Sequence, residues 1–307
     1  MNLKFCSLAL ALAATLLLPA CKDKEEQAAQ DAKAAIAATG ASPQAAVAVA
    51  AKSLRAGNLK AIVEASVPPQ YLEQVRGKWL AKMHEEPITD VDRAEFKQNL
   101  ERFTAADAEQ KMWAEIEPQF TQKQAEIKMQ MPMFIGIGRG VLASGVQQRE
   151  ELNEAQKQQA LAAVDAFAKW AETANFTDPE LAKKSIGIFC SSAREMNLQS
   201  LDEVRAMSFD QVLVKGDIAF AGVKKVFDLY GFSLDQVFDS VDTQLISQTA
   251  DAAKVKVNFQ MFGQPLDFET DMVKFDGRWY GKDALSKLQK EAADDKIAAA
   301  KVSQGNG

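Results

Sequence analysis

Apolar positions recur at helical spacing through most of the chain and switch to strict alternation only near its carboxy end. Ala46, Val49, Ala50 and Leu54 form the first stripe. Ser42-Pro43 opens it as an N-cap with proline at the first helical position, and Gly57 closes it. Leu59, Ile62 and Val63 mark a second helix that Pro68-Pro69 stops. Tyr71, Leu72, Val75, Trp79, Leu80 and Met83 mark a third, ended by Pro87. Phe96, Leu100 and Phe103 follow, and then Thr104 with Asp107 begins a helix bearing Met112, Trp113 and Ile116. Asn153 to Ala174 reads as a long amphipathic helix with Leu161, Val164, Phe167, Ala168 and Ala171 inward.

Met129 to Val146 is more apolar than its neighbours, and Gly136, Gly140 and Ser144 recur in it every four residues. Small residues at that spacing let helices approach closely. The segment is therefore expected as a central buried helix, with a binding groove or membrane-touching element as the alternative. Its length of about 18 residues, with Arg139 in the middle, argues against spanning a bilayer. Gly136-x-Gly138-x-Gly140 is no dinucleotide fingerprint, because no strand precedes it and no acidic ribose partner is placed.

Asp178-Pro179 repeats the opening phrase: a capped helix, then Asn197-Leu198 where the first half has Asn58-Leu59, then a short helix. Internal duplication and chance recurrence both account for two such short matches. Ser200 with Glu203 and Ser233 with Gln236 read as capping boxes. The period becomes two in Lys254 to Met261 and again in Leu266 to Met272. Taking Phe262-Gly263-Gln264-Pro265 as the connecting loop, Phe259 faces Phe268 and Met261 faces Leu266. Lys256 then faces Asp271, Asn258 faces Glu269 and Gln260 faces Asp267 on the other side. Asp276-Gly277 is a hairpin turn into Arg278-Trp279-Tyr280, and a helix from about Ala284 to Lys301 follows. The fold class expected is mainly α with a C-terminal α+β part, helices packed on an antiparallel meander. The expected divisions are residues 1–20 as signal, 21–41 as a flexible tether, 42–176 as a helical domain, 177–302 as an α+β domain and 303–307 as a disordered tail.

Two resemblances bear on function. Lys4, the apolar run Phe5 to Leu18 and the ending Leu18-Pro19-Ala20-Cys21 resemble a bacterial lipoprotein signal with its lipobox. The resemblance implies acylation of Cys21, and Lys22 in place of aspartate points to the outer membrane facing the periplasm, with the outer leaflet of the inner membrane as the alternative. The segment Asp178 to about Asp283, with its capped helix, short second helix and the run Met272-Val273-Lys274-Phe275-Asp276-Gly277-Arg278-Trp279-Tyr280, resembles lipoproteins with the cone-shaped fold of nuclear transport factor two. That superfamily hosts binding modules, dimerisation modules and isomerase-type enzymes alike, so the fold does not fix a function.

Composition narrows the classes further. Removal of the signal takes Lys4, and the formal charge falls from -6 to -7, which with no basic cluster argues against a nucleic-acid partner. Cys6 leaves with the signal and Cys21 is lipidated, so Cys190 in Ile186-Gly187-Ile188-Phe189 context is left as a buried, inert thiol. His84 is alone and reads as a surface residue. Met129-Gln-Met131-Pro-Met133 offers soft thioether donors for copper(I), but no His or Cys stands nearby and Met also fills cores. Asp267, Glu269 and Asp271 share one strand face and could do acid–base work, yet their cross-strand partners suit a solvated surface. No catalytic, cofactor or metal residue is assigned. The expected function is a binding or scaffolding lipoprotein with a membrane anchor and an envelope protein partner. The alternative is a periplasmic enzyme or small-ligand carrier using the concave face of the sheet.

Overall fold

The computed structural model describes residues 30, 33–150 and 152–305. Its helices are α1 (33–41), α2 (Pro43–Ala56), α3 (Leu59–Ser66), α4 (Pro69–Met83), α5 (Asp90–Thr104), α6 (Ala108–Gln147), α7 (Glu154–Thr173), α8 (Pro179–Met196), α9 (Leu201–Ala206), α10 (Phe209–Leu229) and α11 (Leu234–Asp239). A four-stranded antiparallel sheet follows in the order β1 (Asp242–Gln248), β2 (Ala252–Met261), β3 (Gln264–Phe275) and β4 (Arg278–Gly281), and α12 (Lys282–Gly305) closes the chain. A mainly helical protein with a carboxy-terminal α+β part is the observed class.

The local signals explain most boundaries. Ser42 accepts from the Ala45 amide at the start of α2, and Gly57 ends that helix in the left-handed region at φ 69. Asn58 then caps α3 through the Ala61 amide, and Asn153 and Ser208 each form a reciprocal capping box with Gln three residues on. Asn197 ends α8 in the left-handed region, as Gly57 does for α2, but its counterpart Asn58 instead caps the following helix at φ -109, while Ser200 caps α9, so the repeated phrase builds two different turns. The two copies pack differently. α2 lies on the sheet, whereas α8 packs among α5, α6 and α10.

Three expectations about boundaries change. The tether expected to reach residue 41 is helical over residues 33–41, and Ala35 joins Val49, Ala61 and Ala65 in one buried cluster. Arg278 of β4 fixes this helix, donating to Thr39 Oγ1 at 2.8 Å and to the Glu64 carbonyl at 2.9 Å. Alanines too small to build a core alone become buried when larger elements cover them. The division at 176/177 is crossed as well: Ala46 and Val47 of α2 pack onto Ala253, Val255, Val257, Met272 and Trp279 of the sheet. At the other end, α12 runs from Lys282 and its backbone continues through residues 303–305, which were expected as tail.

The hairpin register also differs from expectation. Phe262 at φ 52 and Gly263 at φ 72 form a two-residue turn, so Gln264 and Pro265 belong to β3. Phe259 pairs with Leu266, Val257 with Phe268, Lys254 with Asp271 and Lys256 with Glu269. The shift is two residues, so every side chain keeps the face it was assigned. β1 is an exposed edge, interrupted by a bulge at Ile246, while the short β4 edge is covered by α12.

α5, α6 and α8 share a second core of Ala108, Ile186 and Cys190, bordered by Phe103, Met112 and Trp113. Arg194 of α8 holds the α5–α6 turn: it grips Glu109 bidentately at 2.6 and 2.7 Å and donates to the carbonyls of Thr104 and Ala105. Beyond this core, α6 continues as one helix to Gln147, passing through Pro118 and Pro132, both of which are exposed. A carbonyl freed by each proline can bond to water there.

Candidate functional site

The distal half of α6 does not occupy the interior. It was expected as a central buried helix; instead it flanks α7 on one side and meets solvent on the other. Met129 is 76% exposed, Ile137 58% and Val141 67%, and Met133, Phe134 and Leu142 are exposed too. At 100° per residue, Met133, Ile137 and Val141 form one ridge, and Gly136, Gly140 and Ser144 form the shallow row beside it. A β-carbon placed on Gly136, Gly138, Gly140 or Gly145 meets nothing within 4 Å. The small-residue stripe predicted to receive a helix therefore stands open. Arg139, the one charge between Lys128 and Arg149, points to the other side and binds Asp165 of α7 at 2.7 Å. A one-sided apolar stripe has the same period whether its neighbour is inside the chain or outside it, so the sequence alone does not separate the two.

A second feature is an open groove of about 510 Å³ between α7, the α10–α11 turn and the β2–β3 hairpin. Its floor belongs to an aromatic cluster in which Phe232 stacks on Phe262 at 4.1 Å and both contact Trp170. Trp170 donates its indole N–H to the Tyr230 carbonyl at 2.9 Å. The cluster explains how Phe262 tolerates a left-handed backbone, since ring contacts offset the strain. The helical period turns Phe167 inward and the alternation leaves Phe262 in a loop, with nothing to join them. The separation of nearly a hundred residues carried no signal of their meeting.

The remaining candidates resolve into structural roles. Asp267, Glu269 and Asp271 do share a face, but Lys256 lies 3.2 Å from Asp267 and Lys254 3.0 Å from Asp271, and Gln159 of α7 donates to Asp267 at 3.0 Å. Cys190 is fully buried beside Met112 at 3.8 Å. Burial pushes its thiol up, the Glu109 carboxylate adds to the shift and Arg194 opposes it, so the thiolate a nucleophile needs is disfavoured. His84 ends α4, with Nδ1 2.8 Å from the Leu80 carbonyl. Met129 and Met133 face solvent, while Met131, about 200° around the helix from Met129, lines a groove against the end of α7. The three thioethers therefore do not converge. Asp217 is the carboxylate most affected by burial, which raises it against the Leu59 amide donating at 2.7 Å; that bond ties α10 to the start of α3. Among the described residues no cluster of His, Cys, Asp or Glu is arranged to hold a metal ion. No described helix is long and apolar enough to cross a membrane. Cys21 and the signal segment lie outside the described residues.

Comparison with known proteins adds no relative: no family model matches the chain, and neither the curated proteins nor the solved structures return a match.

Proposed function

We propose that the chain is an envelope lipoprotein, acylated at Cys21 at the periplasmic face of the outer membrane, whose body is a binding or scaffolding module. The anchor rests on Leu18-Pro19-Ala20-Cys21. The binding role rests on one observation: α6 leaves bare an uncharged apolar face on which Met129, Met133, Ile137 and Val141 are all more than half exposed. A surface of this kind is where protein or membrane partners attach. The alternative, an enzyme or carrier using the inner face of the sheet, loses support because Ala46 and Val47 of α2 occupy that face over Val255, Val257 and Trp279. The resemblance of the carboxy-terminal third to nuclear transport factor two-like lipoproteins is compatible with helices preceding a meander, and adds nothing about a ligand.

Labelling of growing cells with a palmitate analogue tests the anchor. The full chain should take up label and fractionate with membranes, and Cys21→Ser should lose both. Unchanged label in Cys21→Ser removes the anchor from the proposal. A photo-crosslinking residue at Met133, compared with one at Lys97 on α5, tests the binding face. Adducts at Met133 alone support it; equal or absent adducts at the two sites overturn it.

A further inference from the structure

We infer that the bare face of α6 is covered by the same face of a second copy of this chain, giving a two-fold helix pair across the Gly136–Gly140–Ser144 row. The inference names the partner for the binding face proposed above and rests on that reading. The exposed parts of Met129, Met133, Phe134, Ile137 and Val141 amount to on the order of 600 Å², the top of the ~300–600 Å² range for the largest apolar patch on an ordinary monomer. Covering it reaches the lower end of a stable pairing, ~600 Å² per partner.

Three observations choose a second copy over other occupants. First, the ridge Met133–Ile137–Val141 and the row Gly136–Gly140–Ser144 lie side by side on one helix at the same spacing. A two-fold axis then places each copy's ridge in the other's row, which is the self-complementarity an isologous interface requires. Second, the face carries no charge, since Arg139 is turned to Asp165, so two copies of an acidic chain meet there without repulsion. Third, four glycines in one exposed helical stretch weaken the helix without filling any space in this chain. Lipid gives no return for a missing side chain, whereas a close helix does. The face also lacks the Trp common on a helix lying in a bilayer surface. A lipid anchor at Cys21 would confine copies to one plane and raise their effective concentration, favouring a pair of this modest area.

The test uses the full chain in cells carrying Ser144→Cys, whose new thiol lies in the row while Cys190 stays buried. A non-reducing gel should show a species of twice the chain's mass. Ile137→Glu, at an exposed position that leaves the fold intact, should reduce it roughly tenfold or more by placing an unpaired charge in the contact. Lys97→Cys on exposed α5 should give only background. No doubled species, one of another mass, or one unchanged by Ile137→Glu overturns the inference. Protection of the Ser144→Cys thiol from a membrane-impermeant maleimide without a doubled species also overturns it, in favour of lipid. The palmitate label in Cys21→Ser is read separately, so a failed anchor and a failed pair give different results.

Discussion

α2 and α6 present the same kind of surface and meet opposite fates. Each shows a stripe of small and medium apolar residues along one side. On α2 the stripe lands on the sheet, where Ala46 and Val47 close over Val255 and Trp279. On α6 the stripe of Ile137, Val141 and the glycines lands on nothing in the chain. Glycines make the contrast sharper. At Gly222 of α10 a β-carbon would sit 2.5 Å from Ser192 Oγ of α8, so the missing side chain serves a close approach inside the fold. At Gly140 the same absence serves no neighbour in the chain. A residue pattern thus states what a face can accept, and only the assembled structure states whether the acceptor is present.

The largest expected effect separates the two faces directly. Trp279→Ala removes a buried ring from the α2–sheet core and should cost ~3–5 kcal/mol, because the surrounding strands cannot collapse into the space. Ile137→Ala removes a smaller apolar side chain, one that would still cost ~2–5 kcal/mol in a core, but from the bare face it should stay within ~0.5 kcal/mol in urea unfolding of dilute protein. A large loss at Ile137 under those conditions would mean that the α6 face is covered within the single chain. A smaller effect probes the joint between α2 and α3. Asn58 is buried and its side chain accepts the Ala61 amide at 2.9 Å, so Asn58→Ala should cost ~1–2 kcal/mol. A change below the error of the measurement would show that α3 is held by its packing rather than its cap.

Legibility in the sequence follows the range of the interactions. Caps, the helical period and the sheet alternation act within a few residues, so the starts at Ser42, Asn153 and Asp178 and the faces of β2 and β3 were readable. The hairpin register was missed by two residues because Phe262 adopts a left-handed backbone that the residue type does not advertise. Its support comes from Trp170 and Phe232, far away in the chain. The helix at 33–41 escapes the sequence for a related reason: its Ala35 is buried and its Ala38 partly covered against α2 and α3, and its Thr39 is held by Arg278 at the opposite end of the chain. The binding face was readable as residues and unreadable as a site, since burial and exposure of an apolar stripe share one pattern.

Gly140→Ala tests the open row with an effect of opposite sign. A mid-helix glycine costs ~0.5–1 kcal/mol relative to alanine, and the space above Gly140 admits a methyl group, so the dilute protein should gain about that much stability. The same change fills the row that the second copy's ridge would enter, so the Ser144→Cys cross-link should weaken as the fold strengthens. Stability and pairing moving apart is a result that a merely structural role for Gly140 does not produce. Loss of stability would instead place a neighbour over the row within the chain itself.

The smallest effect lies in a charged seam of the kind the α6 face lacks. Asp210 of α10 is pulled up by burial, but hydrogen bonds and charge from Arg76 at 3.1 Å and Lys60 at 3.2 Å outweigh this and hold its carboxyl below the ordinary value. A depressed carboxylate stabilises the fold above its unfolded pKa, and that contribution is lost as pH falls through the lower folded value. Part of the decline in melting temperature below about pH 4 should therefore disappear in Asp210→Asn, while at neutral pH the variant melts slightly lower. Solvent reaches more than a third of the Asp210 side chain, so screening keeps the change below that of losing the Asn58 cap. Parallel pH profiles for the two proteins would place the acid sensitivity elsewhere. The uncharged ridge Met133–Ile137–Val141 has no group that titrates in this range. A doubled mass of the natural chain in sedimentation, persisting at pH values where Asp210 has begun to protonate, would show the two faces to be held by different forces.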